Sequence, residues 1–502
     1  MTSQFFLMLV VITSTSFVFM LFIKLQEKTR VRAKRLPPGP WKLPVLGNLH
    51  QLNGDSPHVS LQHLSNDYGP LMFLQLGSVP TLVISSADVA REIFRTHDLI
   101  FSGRPRSYAA KKFSYNFNNI SLAPYGEHWR AVRKIVIMEI LSSKRVQSFQ
   151  AVRYEEVMLM LQFIAQSLTK PIDLSRLTLL LSNNIVCRVA FGQKSDSGEY
   201  NGRSRFDELL HQAQALLGKS SMADFLPWMG WLNMFNGVKA SIEKTFREID
   251  NFFDEEIQHH LDPRRPKPEH EDLVDVLLQI HRDADATLNF KQIKGVLMDI
   301  FVAGTDTSSA TLVWTMAELI RNPSVMRRAQ NEVRGVVKGK EAVEESDLSE
   351  LMYLKMVVKE ALRLHPPAPL LVPRETTEDC RIGEYEIPSG TRVLINAKAI
   401  ATDPEYWEHP FEFRPERFLN SSIDFKGQNY ELIPFGVGRR ACPGINFAIP
   451  LIELALASLL YSFDWELPPG MRIEDFDMEE APGITMHKKT LLFLMATAYT
   501  ST

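Results

Sequence analysis

Cysteine is scarce in this chain: Cys187, Cys380 and Cys442 are the only three in 502 residues. Three cannot build a disulfide framework, which excludes the small stapled extracellular scaffolds and points to a reducing compartment. A surplus of one charge is also lacking. The 56 basic side chains face 59 acidic ones, a formal net charge of -3, so nothing favours nucleic acid as a partner. No repeat period, low-complexity block or βαβ alternation runs through the sequence. With 45% hydrophobic and 10% aromatic residues, the composition is that of a globular body with material for a large core.

A long apolar run is present near the N-terminus. Residues 5 to 23, FFLMLVVITSTSFVFMLFI, carry no charge and suffice for one transmembrane helix. Lys24, Lys28, Arg30, Arg32, Lys34 and Arg35 follow, opposed only by Glu27. A cleaved signal would place its basic residues before a shorter apolar run. The observed order predicts an uncleaved single-pass anchor with the bulk of the chain on the cytosolic side. Asn119 and Asn420 head glycosylation sequons that a cytosolic body leaves unused. LPPGP, residues 36 to 40, is a stiff break. The expected division is an anchor at 1–24, a basic stop-transfer segment and proline-rich hinge at 25–40, and one large domain at 41–502.

Within that domain, LMFLQLGSVPTLVISS at 71–86 predicts a β-hairpin. Apolar residues recur at three- and four-residue steps around 127–140, 146–168, 206–217, 239–260 and 289–321, which predicts helices. DPRRPKPEHED at 262–272 predicts a charged, mobile surface loop. Strand-like alternation returns at 380–396 and in the tail. The fold class read from this pattern is mainly α with small β-sheets.

Five short stretches carry chemistry. The long helix at 289–321 is apolar nearly all round, yet its middle reads AGTDTSSAT. Gly304 costs roughly 1 kcal/mol against alanine there, and serine and threonine are poor interior residues. Ala303 and Thr307 share a face, which suits either close helix packing or a gap beside something bulky. Asp306 favours the second, because a buried carboxylate must be paired or used, and an acid beside an alcohol can relay protons. In EALR, Glu360 and Arg363 lie three apart, the spacing of an ordinary surface ion pair. FRPERF carries Arg417 in a proline-braced loop. GEHWRAVRK puts Trp129 and Arg133 on one helical face, able to pack under a charge or to grip an anion.

The fifth stretch is FGVGRRACPG, residues 435 to 444. Gly436, Gly438 and Ala441 fit the dinucleotide pattern G-x-G-x-x-[GA], and Asp464 stands at a tempting distance. That reading fails on its context: Pro434 interrupts the supposed strand, Pro443-Gly444 breaks the supposed helix, and no βαβ unit surrounds it. The alternative is a loop built to present the sulfur of Cys442.

Taken in order, these pieces resemble the cytochrome P450 superfamily of haem-thiolate monooxygenases, over essentially the whole chain. LPPGPWKLPVLGNLHQL, AGTDTSSATLVW and DFDMEEAPGITMHKK are similar to the large plant microsomal group that acts on specialised metabolites. The resemblance implies a single large haem domain of the P450 fold, with haem b held by Cys442 as axial thiolate. It implies Phe435 near the sulfur, Gly438 and Gly444 shaping the loop under the ring, and a helix starting at Pro443 whose N–H groups lower the sulfur's basicity. Trp129, Arg133, Arg374 and Arg440 match positions that hold the haem propionates. Glu360, Arg363 and Arg417 match a buried charge network, and Asp306 with Thr307 the oxygen-activating pair. A thiolate ligand favours O–O cleavage on the iron.

The resemblance also implies partners and a pocket. Electrons come from NADPH through the flavin-containing NADPH–cytochrome P450 reductase, with cytochrome b5 a further donor. Arg130, Lys134 and Arg439 are the expected docking contacts. The expected location is the endoplasmic reticulum membrane. Phe113, Phe117, Phe301, Ala303, Leu370, Leu371, Val372 and Ile484 are the expected pocket walls, for a terpenoid first, or an alkaloid or phenylpropanoid. Two further classes stay open: a reductase-independent haem-thiolate isomerase or dehydratase, and a non-catalytic haem sensor.

Overall fold

The computed structural model describes residues 13–14, 35–52, 56–192, 205–218, 222–234, 237–266, 270–282 and 288–500. The expected anchor at 5–23, apart from Thr13 and Ser14, and the basic residues through Lys34 lie outside the described residues.

The organising element is the helix Phe290–Arg321. Its start is set by a capping box: the Asn289 side chain accepts from Gln292 N, and the Gln292 side chain accepts from Asn289 N. It stops at Asn322, and Pro323 opens the next helix, Pro323–Val336, where its missing N–H costs nothing. This central helix packs against Leu174–Phe191, Ile445–Ser462 and Met352–Leu364, and the apolar side chains between them form the main core.

The polar middle of the central helix reconciles with burial in two ways. Thr307, Thr311 and Thr315 donate to the carbonyls of Ala303, Thr307 and Thr311 at 2.7, 2.9 and 2.6 Å, a ladder of hydroxyls folded back one turn. Ser309 Oγ meets Thr178 Oγ1 at 2.9 Å, and a Cβ on Gly304 would stand only 3.2 Å from Val186. Small residues therefore serve close approach of Leu174–Phe191 as well as the gap on the opposite face.

The sheets lie to one side. The hairpin Leu71–Leu76 and Val79–Ile84 is antiparallel, as its turn residues predict. It is extended by Arg392–Ile395, parallel to Val79–Ile84, and then by Arg374–Glu375. The tail strands Phe463–Glu466 and Phe493–Ala498 pair with each other, and short pairs form at 380–387 and 480–488. The architecture is mainly helical with small sheets.

Three expectations need correction. The helix Leu174–Phe191 was not expected; it has no exposed face, so no 3.6-residue stripe marks it. The segment around 262–272 is not a free loop in its described parts. Arg265 bridges Asp272 and Asp275 at 2.9 and 2.5 Å, and His260 Nε2 meets Asp272 at 2.9 Å. The helix after the cysteine starts at Ile445 with Gly444 as its cap, not at Pro443, because residues 442–444 first close the cysteine loop.

EALR is buried rather than solvated. Glu360 accepts from Arg363 Nε and Nη2 at 2.7 and 2.8 Å and from Arg417 Nε at 2.9 Å, and Glu360 and Arg363 are both fully buried. The remaining guanidinium hydrogens go to carbonyls of Ala401, Pro410 and Glu412. One carboxylate thus serves two buried cations. Glu360→Ala strands both and is expected to lower stability by ~3–5 kcal/mol, with Glu360→Gln intermediate, in denaturant unfolding.

Candidate active site

The cysteine loop is shaped by its own backbone. Cys442 N donates to Phe435 O at 2.8 Å and Ala441 N to Gly438 O at 3.0 Å, closing a tight turn. Gly438 has φ +67°, and a Cβ there would run into the Asp98 carboxylate. Gly444 N donates to Cys442 Sγ at 3.3 Å. Cys442 lines a cavity, and burial raises its thiol pKa; the Gly444 N–H and the Arg133 charge pull it down. The Gly444 N–H thus acts on the sulfur in the expected direction, against the larger effect of burial.

Four guanidiniums line the same cavity: Arg104, Arg133, Arg374 and Arg440. Each is held by backbone carbonyls. Arg133 reaches Ala441 O at 2.7 Å and Arg374 reaches Val437 O at 2.6 Å, so both brace the cysteine loop. Arg440 spans Ser102, Ile120 and Ala123 carbonyls at 2.9, 3.2 and 2.6 Å. Arg104, which sequence reasoning missed, holds Ser121, Val372 and Pro373 carbonyls at 2.8, 2.7 and 2.7 Å. Burial, then mutual repulsion, lowers the pKa of Arg440 to about 9; burial lowers that of Arg374 to about 10. Arg374 Nη1 is buried with no hydrogen-bond acceptor, and its nearest carboxylate oxygen, on Asp98, stands 3.5 Å away.

Trp129 takes a different part from the one expected. Its Nε1 donates to Ile120 O at 2.9 Å, and the side chain is absent from the cavity wall. The indole instead carries the guanidiniums of Arg440 and Arg133 over its ring at 4.4 and 5.2 Å.

Trp129, Arg104 and Arg440 each grip at least one carbonyl of residues 120–123, and the N–H side of that segment is gripped by the central helix. Asp299 accepts from Asn119 Nδ2 and Ile120 N at 2.7 Å each, from Ser121 N at 3.1 Å, and from the Ser121 hydroxyl. The buried Asn119 thereby explains why its sequon is unusable. No local motif marks Asp299, because its partners lie some 180 residues away in sequence.

One face of the central helix forms the opposite wall. Val296, Ile300, Ala303, Thr307 and Thr311 follow one another at three- and four-residue steps, and all of them, with Gly304 beside Ala303, line the cavity. Of the expected pocket walls, Ala303, Leu371 and Val372 are on it. Phe113, Phe117, Phe301, Leu370 and Ile484 are not. Phe301 lies off the 296–300–303–307 face and stacks on Phe191 at 5.1 Å. Phe113 packs on Phe246, Phe117 lies under Arg106, Leu370 packs against the sheet-side core, and Ile484 is 48% exposed. Val136, Val186 and Val189 supply wall that sequence reasoning missed. Thr307 fronts the cavity, whereas Asp306 turns the other way and meets His487 Nε2 at 2.9 Å.

On the outer side of the cysteine loop, Arg130 and Lys134 are exposed on the helix Glu127–Ile135. Arg439 is also exposed, but its backbone N–H and guanidinium both approach Asp98, at 3.0 and 3.5 Å.

A buried sulfur, a cluster of cations short of carboxylates, and otherwise apolar walls describe a setting for a flat, dianionic, metal-bearing ring. The comparisons agree. The cytochrome P450 family model matches residues 37–495. The chain is 59% identical to Cytochrome P450 71A9 of Glycine max, across 97% of this chain and 99% of that protein. It is 56% identical to Strychnine-11-hydroxylase of Strychnos nux-vomica, across 96% and 94%. A solved zebra fish cytochrome P450 with progesterone shares the fold, with TM-score 0.75 over 88% of this chain and 99% of that one, at 24% identity. The chain belongs to the cytochrome P450 family, with plant enzymes of the 71 group among its relatives. It is accordingly a monooxygenase of specialised metabolism that uses haem b, with electrons from NADPH by way of a reductase. The dinucleotide, isomerase and sensor readings fall away.

Asp299 offers a test of the brace. Burial raises its carboxyl pKa to about 6 despite four donors that pull it down. The folded protein therefore holds this proton more tightly than the unfolded chain, whose value is near 3.8. The stability this contributes is full below about 4 and is lost as pH rises through about 6. Relative to Asp299→Asn, the natural protein is expected to lose stability across that window in urea unfolding at fixed pH values.

Proposed function

We propose that this chain hydroxylates or epoxidises a small hydrophobic specialised metabolite, with Cys442 as the axial ligand of its haem. The observation that carries this reading is Cys442 on the wall of a cavity that is also lined by four guanidiniums. Bound haem supplies the iron chemistry that activates O2. The chain's own residues hold and surround it. Arg133, Arg374 and Arg440 are the propionate ligands, joined by Arg104, with Trp129 bracing two of them from behind. Phe435, Gly438 and Gly444 shape the loop that presents the sulfur. Glu360, Arg363 and Arg417 lock the underlying core. Asp306 and Thr307 deliver protons to the oxygen side, where the apolar wall keeps out competing water.

Leu371, Val372, Ala303, Val136, Val186 and Val189 offer shape and few polar handles, which supports a terpenoid skeleton as the first reading. An alkaloid is the second, supported by the 56% identity to Strychnine-11-hydroxylase. The division into anchor at 1–24, hinge at 25–40 and catalytic domain at 41–502 supports a single-pass protein of the endoplasmic reticulum with its body in the cytosol. The exposure of Arg130, which stands 4.0 Å from Glu127, and of Lys134 supports docking of the reductase there; Arg439 joins them only by leaving Asp98. Cytochrome b5 is a further donor for the same face.

The reduced, CO-bound protein is expected to show the strongly red-shifted Soret band of a thiolate trans to CO, and Cys442→Ala to lose it while staying folded. Product formation from a panel of terpenoids and alkaloids should require both NADPH with reductase and O2. A band that survives Cys442→Ala contradicts the assignment.

A further inference from the structure

The monooxygenase reading leaves unexplained why Asp306 faces away from the cavity. Its carboxylate is 8% exposed and lies 2.9 Å from His487 Nε2, whose side chain is 39% exposed. The histidine is held in place by its neighbour. Met486 N donates to Pro367 O at 2.8 Å, and Met486 O accepts from Trp314 Nε1 at 2.8 Å, so the strand His487–Lys488 is pinned to the central helix. Thr307, next in sequence to Asp306, presents its hydroxyl to the cavity. Beside it Ser308 Oγ, also on the cavity wall, is buried without a hydrogen-bond partner. Solvent, imidazole, carboxylate, hydroxyl and cavity thus follow one another across one turn of helix.

Resting on the monooxygenase reading, we infer that His487 is the solvent-side proton donor of this enzyme, and that its ion pair with Asp306 is a switch that releases the acid only when it is loaded. In the resting pair, imidazolium and carboxylate attract each other and hold Asp306 outward. Transfer breaks the Nε2–H bond of His487 and forms an O–H bond on Asp306, leaving both groups neutral. The attraction that held the carboxyl outward is then gone, and the loaded acid turns about its own side-chain bonds toward Thr307. Once it has given up its proton, Asp306 is again an anion and is drawn back, while the ring takes its next proton from bulk water. Each O2 reduced draws two protons along this path and two electrons from NADPH through the reductase.

The surroundings leave this pair to itself. On the same strand, Lys488 is 3.6 Å from Asp477 and donates to Thr490 O, and just beyond the strand Lys489 is paired with Glu479. On the partner strand, Glu480 is held by His58 at 2.7 Å and approached by Lys398 at 4.0 Å. On the central helix, Glu318 is taken by His365 at 2.7 Å. Among the described residues, Asp306 is the one charged group acting on the His487 ring; burial disfavours the imidazolium, but the carboxylate outweighs this and raises the ring's pKa above the ordinary histidine value.

The pair is tested first without turnover, by NMR titration of the His487 ring in the haem-loaded protein. Asp306→Asn is expected to lower the ring's pKa by about one unit or more; an unmoved titration overturns the pair whatever the enzyme does. The relay is tested by NADPH-driven oxygen consumption of the holoenzyme with its reductase, without organic substrate, in H2O and D2O. In the natural protein the rate falls as pH rises through the His487 pKa. His487→Gln keeps a donor to Asp306 but cannot pass a proton. It is expected to slow consumption roughly tenfold, flatten that limb and raise the solvent isotope effect, with the CO band unchanged. His487→Lys is the discriminating variant. A lysine preserves the ion pair, so a purely structural role predicts rescue. The switch predicts that it stays slow at every pH from 6 to 9, because its ammonium does not discharge. Rescue by lysine, or a glutamine variant with the natural rate and profile, overturns the inference. Loss of the thiolate CO band in the unaltered protein would instead sink the haem reading and leave the ring titration standing.

Discussion

Arg104, Arg133, Arg374 and Arg440 stand around one buried cavity, each pinned by carbonyl oxygens from a stretch of chain remote from its own. Much of the structure depends on this arrangement. Arg133 and Arg374 hold the loop that presents Cys442; Arg440, itself part of that loop, ties it to residues 102 and 120–123; Arg104 ties those residues to 372–373. Taking four cations out of water is costly, and carbonyl dipoles offset only part of that cost. The depressed pKa values of Arg374 and Arg440 measure the remainder. Asp98 and Asp299 are the carboxylates within electrostatic reach, and Asp299 is saturated by its own donors. The cavity is therefore short of negative charge, which the two propionates of a bound haem would supply.

The central helix obeys the same constraint from the other side. It is buried, so most polar groups on it are answered. Thr307, Thr311 and Thr315 answer their own hydroxyls one turn back, Asp299 is answered by the backbone of 119–121, and Asp306 by His487, while the Thr305 and Ser308 hydroxyls stay without a hydrogen-bond partner. Glu318 is answered by His365, whose ring stacks on Trp314 at 4.2 Å. What is left on the cavity face is small or aliphatic, with the Thr307 and Thr311 hydroxyls and Ser308 among the few polar exceptions. Packing and chemistry are thus not alternatives for AGTDTSSAT: one face admits the helix Leu174–Phe191, another leaves the gap.

How far the residues alone carried this can be judged case by case. FGVGRRACPG was legible because its glycine, cysteine and proline act locally, through turn geometry. The hairpin at 71–86 and the long helix were legible for the same reason, each having its own period. EALR and FRPERF looked solvated by local spacing; only their resemblance to a family gave them a buried role, and the contact between Glu360 and Arg417 spans 57 residues. The resemblance implies Phe301 as a pocket wall, but helix phase sends it to Phe191 and brings Ile300 and Val296 inward. Arg104, Asp299 and His487 carry no local sign, since their meaning lies in partners far along the chain. Leu174–Phe191 escaped because a helix buried on all sides has no stripe to read.

The central claim is that this cavity is completed by the carboxylates of a haem lying over Cys442. Haem-free protein titrated with haem b and, in parallel, with its dimethyl ester tests this most directly, because the two differ only at the propionates. Haem b is expected to raise the thermal unfolding midpoint and to bind at least tenfold more tightly than the ester, with the difference reduced in Arg374→Met. Equal affinity for acid and ester, unchanged by that substitution, would contradict it.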